Sequence, residues 1–309
     1  MTVAARRTRS PQAPRYRSPS RSYCAASAFL VLSVYVPHVD EHREEKFSFN
    51  RAAWDERVGI HVSSEYYDND SFVAGRIALR RFELMEIGPV NGKSLCHLQC
   101  HFGQDTLSFA RLGAAVVGLD FSGRAIEAAR KLAAEIGVDA EFVCSNVYDA
   151  VDVLGGRQFD VVYTGVGALC WLPDITRWAE VCADLVAPGG MLYLAEMHPF
   201  TEVMADEDLE AVNDYFTVRE GVRMEGPGTY ADWEAETDHN VTYEWTHPTS
   251  SVITAMLDAG LQIELFHEHD FTLFDRWRFL ERRDDGIFHM PADRPRLPLM
   301  YSVRARKPE

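Results

Sequence analysis

SLCHLQCHFGQDTLSFARLGAAVVGLDFS, residues 94–122, decides how the rest of the chain is read. "KSLCHLQC" has the length and apolar content of a short buried strand, and "DTLSFARLG" that of a helix closed by Gly113, a residue suited to the left-handed position past a helix end. "AAVVGLD" follows as a second strand ending in Asp120. Together these make a strand, helix, strand crossover. Its first turn, where a nucleotide-binding crossover is glycine-rich, is Gln99-Cys100-His101-Phe102-Gly103.

The alternation continues outward. Ser122 can cap "GRAIEAARKLAAEIG", in which Glu127 precedes Lys131 by four residues and Gly137 is the stop. "AEFVCSN" and "FDVVYTG" are the third and fourth strands. Asp174 caps "ITRWAEVCADLV", whose Trp178, Val181, Cys182 and Leu185 form one apolar face; "APGG" ends that helix and "MLYLAEMH" is the fifth strand. Strands alternating with helices of this length imply right-handed crossovers and a doubly wound, mostly parallel α/β sheet covered on both faces. After His198 the rhythm breaks. Residues 199–247 are acidic and aromatic and are expected to form an insertion over the strand ends. "SSVITAMLDAG" is a further helix; "LQIELFHEHD" and "LPLMYSVRARK" are strands expected to pair antiparallel.

The net charge of −16 argues against phosphate-backbone binding, which needs clustered Lys and Arg, so nucleic acid is not expected as a partner. Residues 1–39 hold six Arg, no Lys and no acid, and "AASAFLVLSVYV" within them is too short to span a membrane. Residues 1–45 are read as a flexible, non-essential extension, with a targeting segment or a packed strand as the alternatives. Residues 46–309 form the domain. Cys24, Cys96, Cys100, Cys144, Cys170 and Cys182 include no C-x-x-C pair and read as reduced core residues of a cytoplasmic protein. Cys96, His97, Cys100 and His101 have metal-like spacing, but strand alternation and the turn work against their convergence, so no metal site is expected.

Open parallel sheets bind ligands beyond the carboxyl ends of their strands, where strand order reverses. That rim carries Gln99–Gly103, Asp120–Ser122, Asn146–Val147, Gly165–Leu169 and Glu196–His198. Asp120, 17 residues after Gly103, stands where a carboxylate accepts from two ribose hydroxyls; the alternative is a helix cap shared with Ser122.

From about Lys93 to Met197 the chain resembles the class I S-adenosylmethionine-dependent methyltransferases. "SLCHLQCHFG" stands in the place of their first strand and turn, "GLDFS" at the acidic second strand end, "FVCSNVYD" at the adenine-contacting third, followed by "FDVVYTGVGALCWLPD" and "LVAPGGMLYLAE". The resemblance implies a Rossmann-like seven-stranded sheet with an antiparallel last strand, and S-adenosyl-L-methionine as cofactor. It assigns Asp120 to the ribose, Phe121 and Val147 to the adenine, Asn146 to its exocyclic amine, and Gly103 and Gly165 to the methionine end, with Gln99 offering a polar side chain in the turn. The chain departs from the family at His97, where an acid is usual, at Gln99 and His101, where glycines are, and at Asn146, where Asp is common.

Methyl transfer to a small organic acceptor by in-line positioning is the activity implied. His198, at a strand end on the rim, is the proton-shuttle candidate, with Glu196, His239, His247, His267, Glu268 and His269 behind it. Trp54, Tyr66, Tyr67, Phe72, Trp171, Tyr215, Tyr230, Trp233, Tyr243 and Trp245 are candidates to wall the acceptor or pack the cap. N, O, S and C acceptors stay open, as does the oligomeric state. A non-catalytic ligand- or partner-binding relative and a nicotinamide oxidoreductase are the alternative readings.

Overall fold

The computed structural model describes residues 42–205, 209–217, 219–283 and 285–309. Three helices, α1 (Arg43–Ser63), α2 (Asn69–Val73) and α3 (Arg81–Ile87), precede the first strand. The alternating region follows as β1 (Ser94–Leu98), α4 (Gln104–Arg111), β2 (Ala115–Asp120), α5 (Gly123–Ile136), β3 (Glu141–Cys144), α6 (Ala150–Val153), β4 (Phe159–Thr164), α7 (Ile175–Leu185) and β5 (Val186–Met197). Then come α8 (Phe200–Val203), β6 (Val222–Glu225), β7 (Val241–Glu244), α9 (Thr249–Asp258), β8 (Gln262–His269), β9 (Phe271–Thr272), β10 (Glu281–Arg282), β11 (Phe288–His289) and β12 (Met300–Arg306).

The main sheet has seven strands in the order β3-β2-β1-β4-β5-β12-β8. β1 lies parallel between β2 and β4, so strand order reverses beside its carboxyl end. β12 is antiparallel to both β5 and β8. On one face Leu98, Val162 and Leu194 pack under Trp178 and Cys182 of α7 and Met256 of α9; on the other, Leu95, Val161 and Tyr193 pack under Ile87 of α3 and Phe109 of α4. Burying each such side chain contributes about 1.5–3 kcal/mol.

Local signals place the helices. Ser122 Oγ accepts from Ala125 N and Asp174 Oδ1 from Arg177 N, caps worth about 1 kcal/mol each. Gly137, at φ 65°, ends α5 as expected. The strand after α7 starts earlier than its sequence suggests, since Val186 already pairs with Phe159 and the Pro-Gly-Gly stretch lies inside β5 beside a register shift. Cys144, expected in the core, is exposed.

Most of the N-terminal extension lies outside the described residues. Its expected boundary at residue 45 moves, because Arg43–Glu45 already belong to α1. That helix packs on α5 and β7. Asn50 on its buried face donates to Tyr243 O and accepts from Tyr243 N, both at 2.8 Å, which ties it to β7. The 199–247 stretch has little regular structure beyond α8 and the β6–β7 hairpin. A second such stretch follows β8, where β9, β10 and β11 form a small sheet and Trp277, Met290 and Leu299 pack with Met204. No helix of the described residues is long and apolar enough to cross a membrane.

Candidate active site

The turn after β1 has glycine geometry without the glycines. Gln99 and His101 sit at φ 59° and 51°, and Gly103 at φ 85°. A left-handed conformation costs a non-glycine residue roughly 1–2 kcal/mol. Fixed hydrogen bonds offset it. Cys100 N donates to Leu119 O at 2.9 Å, His101 N to Asp120 Oδ2 at 2.8 Å, and Gly103 N to Cys100 O at 3.0 Å. Gln99 Nε2 reaches Ala168 O at 2.8 Å, tying the turn to the loop after β4. At Gly103 a Cβ would stand 2.9 Å from the Phe142 ring, so here no side chain fits.

Asp120 makes the helix-start contact that was weighed against the ribose, and a second one to the turn. Its Oδ1 accepts from Ser122 N at 2.9 Å and its Oδ2 from His101 N, so it joins the start of α5 to the turn. Each oxygen keeps a second lone pair. Burial pushes its carboxyl up to about 6, against the pull of the Ser122 and His101 N–H groups. Glu196 is more deeply engaged: Gly167, Ala168, Leu169 and Met197 all donate backbone N–H to its carboxylate at 2.7–2.9 Å. It fixes the loop that carries Gly165. Burial nevertheless pushes Glu196 up to about 7.

These elements open on a cavity of about 770 Å³. Gln99, Gly103, Asp120, Phe121, Asn146, Val147 and Gly165 all line it. Asn146 Oδ1 accepts from Tyr148 N, and a Cβ on Gly165 would meet the Tyr163 hydroxyl at 2.8 Å. His97, in place of the usual acid, bonds Thr106 Oγ1 at 2.8 Å and is held neutral by burial, which lowers it to about 3.

Much of the remaining lining is aromatic. Trp54, Tyr66, Tyr67, Trp171, Tyr230, Trp233 and Trp245 line the cavity. Phe72 is instead buried in a core cluster, and Tyr215 and Tyr243 lie outside the lining. The late stretch after β8, unassigned on sequence, contributes Leu273, Phe274 and Arg276.

His198 follows the end of β5, as the sequence suggested, but its side chain turns to other partners. It lies outside the cavity lining, takes the Phe200 N–H on Nδ1 at 3.1 Å and meets Glu268 through Nε2 at 3.0 Å. With Nδ1 accepting, Nε2 carries the proton, a tautomer assigned from these partners. No lone pair is left for a substrate. Among the other candidates, His239 bonds Glu56, His267 bonds Glu86 and His269 bonds Ser302, all away from the cavity, while His247 reaches it but bonds Leu172 O at 2.7 Å. The sequence reading missed His61. It sits on the buried face of α1 with Phe47, Asn50, Ala53 and Val58 and lies 2.8 Å from His101.

The cavity lies at the strand-order reversal, where open α/β sheets bind ligands. Residues 96–192 match the family described as "Methyltransferase domain". Two curated proteins named ubiquinone biosynthesis O-methyltransferase are similar. That of Erwinia tasmaniensis is 36% identical over 107 residues, 35% of this chain and 43% of the relative; that of Ralstonia nicotianae is 34% identical over 125 residues, 39% and 50%. The chain thus matches half or less of those relatives' length. The solved S-adenosylmethionine-dependent methyltransferases of Mesorhizobium loti (21% identity, TM-score 0.50, 76% of this chain and all of that one) and Clostridium acetobutylicum (11%, 0.51, 85% and all) share the fold. Residues 96–192 thus match a methyltransferase domain, and the fold around them is that of the solved S-adenosylmethionine-dependent methyltransferases.

The residues present fit that cofactor. Gln99 Oε1 is a buried acceptor with no partner among the described residues, suited to an ammonium, and Asp120 has lone pairs for hydroxyl donors.

Proposed function

We propose that the protein transfers a methyl group from S-adenosylmethionine to a small organic acceptor held in the same cavity. The observation that carries this reading is that one cavity is lined both by the rim residues and by a group of aromatic side chains. When bound, the cofactor supplies an electrophilic methyl group on a sulfonium. Asp120 holds the ribose, Phe121 and Val147 flank the adenine, Asn146 takes its amine, and Gln99, Gly103 and Gly165 border the methionine end. Trp54, Trp171, Tyr67 and Tyr230 orient the acceptor and exclude water, so alignment is the protein's main contribution. His198 drops out of the catalytic reading because both its ring nitrogens are engaged.

The name of the curated relatives favours oxygen as the acceptor atom. The acidic composition keeps nucleic acid out of this reading, and buried, free Cys96, Cys100 and Cys182 suit a cytoplasmic location. The alternative of a non-catalytic binder drew on the missing glycines, and the left-handed backbone kept at Gln99 and His101 weakens it.

The test is S-adenosylhomocysteine formation measured against a panel of phenols, catechols, amines and carboxylic acids. Product that appears only with an acceptor supports methyl transfer. Adenosyl binding without product from any acceptor favours the non-catalytic binder.

A further inference from the structure

Two histidines from distant parts of the chain meet in the cavity wall. His101 Nε2 lies 2.8 Å from His61 Nδ1, and His61 Nε2 lies 2.6 Å from Thr229 Oγ1. His61 is wholly buried; His101 lines the cavity, and its Nδ1 has no protein partner among the described residues. Trp54 presents its edge to both rings, at 5.8 and 5.2 Å, and Tyr67 stacks on His61 at 5.4 Å, so neither ring is free to turn away. The left-handed backbone at His101 is where a glycine would sit without strain. Holding a ring there against that cost suggests that the ring has a task.

We propose that His101 Nδ1 takes the proton of the methyl acceptor, with His61 as its positioning residue, and that the acceptor is a protic O–H compound such as a phenol. This rests on the methyltransferase reading above. In the working tautomer His101 Nε2–H donates to His61 Nδ1 and His61 Nε2–H donates to Thr229 Oγ1, which leaves the His101 Nδ1 lone pair facing the cavity. The acceptor oxygen forms its bond to the methyl carbon as the carbon–sulfur bond breaks, the electron pair of that bond stays on sulfur, and the O–H proton passes to Nδ1. One positive charge enters on the sulfonium and one remains on the imidazolium. The cavity therefore takes on no new net charge. A thioether, carboxylate or tertiary amine acceptor would need no such base.

Burial and the nearby Arg57 hold His61 neutral, and burial and His61 do the same for His101, so the lone pair is available across the neutral range. The titratable and charged groups around the pair are Arg57 on α1, Tyr67 beyond it, Tyr230 in the insertion, and Asp120 at the end of β2, which takes the His101 backbone N–H.

The experiment uses the full chain at saturating S-adenosylmethionine, with phenol, whose pKa is about 10, and the more acidic 4-nitrophenol as probes between pH 6 and 9. His101→Asn, which suits a left-handed backbone, is expected to lower kcat for phenol by roughly 100-fold and for 4-nitrophenol by less than about tenfold. The phenol rate of the variant should also rise with pH, as solvent-generated phenolate replaces the missing base. His61→Asn and Thr229→Val should shift both readouts in the same direction and by less. S-adenosylhomocysteine affinity, measured on each variant, separates lost chemistry from a lost fold. Equal losses on both phenols with an unaltered pH profile would reduce the pair to a clasp on α1 and overturn the proposal. So would a wild-type protein that binds S-adenosylhomocysteine and methylates neither phenol. Absence of adenosyl binding would instead remove the methyltransferase reading beneath it.

Discussion

Asp120 links the backbone of the turn, the start of α5 and the proposed ribose site, so its protonation has two opposite consequences. Its carboxyl is raised from 3.8 to about 6 by burial, so the folded state favours the protonated form. The contribution of this group to stability is therefore complete below about pH 4 and is lost as pH rises through 6. Ligand affinity runs the other way, because a ribose needs the ionised form. Affinity for S-adenosylhomocysteine should fall about tenfold between pH 7.5 and 5, a dependence that Asp120→Asn abolishes together with most of the binding; a flat wild-type profile would count against the ribose role. At Gly103 the demand is steric. Gly103→Ala places a Cβ against Phe142 at φ 85° and should cost about 2–4 kcal/mol in chemical denaturation. The resemblance singled out Gly103, and the place of Asp120 at the end of β2 was legible from spacing. The His61–His101 pair was not, because 40 residues separate its members and only packing brings them together.

The crossover elements from β1 to β5 follow from periodicity and caps, which act over a few residues. The helix α1 escaped because its buried face carries Lys46, Asn50 and His61, polar groups whose partners lie far away in sequence, as the Asn50 bonds to Tyr243 show. The small sheet after β8 escaped for another reason: its strands are two residues long and have no period to detect. Glu196 illustrates an element-scale role that sequence alone misassigned. It looked like a proton acceptor, yet its four backbone N–H partners make it the anchor of the loop after β4. Glu196→Gln replaces one accepting oxygen with a donor facing those N–H groups and should cost about 3 kcal/mol. Thermal unfolding should then begin roughly 6–12 °C lower; a shift under about 2 °C would show that the loop holds itself.

At the scale of the whole molecule, the rim of the sheet supplies one part of the cavity lining, and three separate stretches supply another: the helices before β1, the 199–247 segment and the segment after β8. Parallel-sheet topology dictated the first and was legible; the second depends on tertiary packing of irregular chain and was legible only as an aromatic, acidic composition. The extension makes no part of this account, so a protein lacking residues 1–41 should keep its adenosyl affinity within about twofold and its melting temperature within about 2 °C. Larger losses would mean that the extension supports the domain. The central claim is that this cavity binds the adenosyl cofactor through Asp120. Calorimetric titration of the protein and of Asp120→Asn with S-adenosylhomocysteine and NAD tests it most directly. The account predicts one-to-one binding of S-adenosylhomocysteine that is weakened at least about 30-fold in the variant, two lost charge-assisted hydrogen bonds being ample for that change, and no binding of NAD. Failure to bind S-adenosylhomocysteine, or binding of NAD alone, would contradict it.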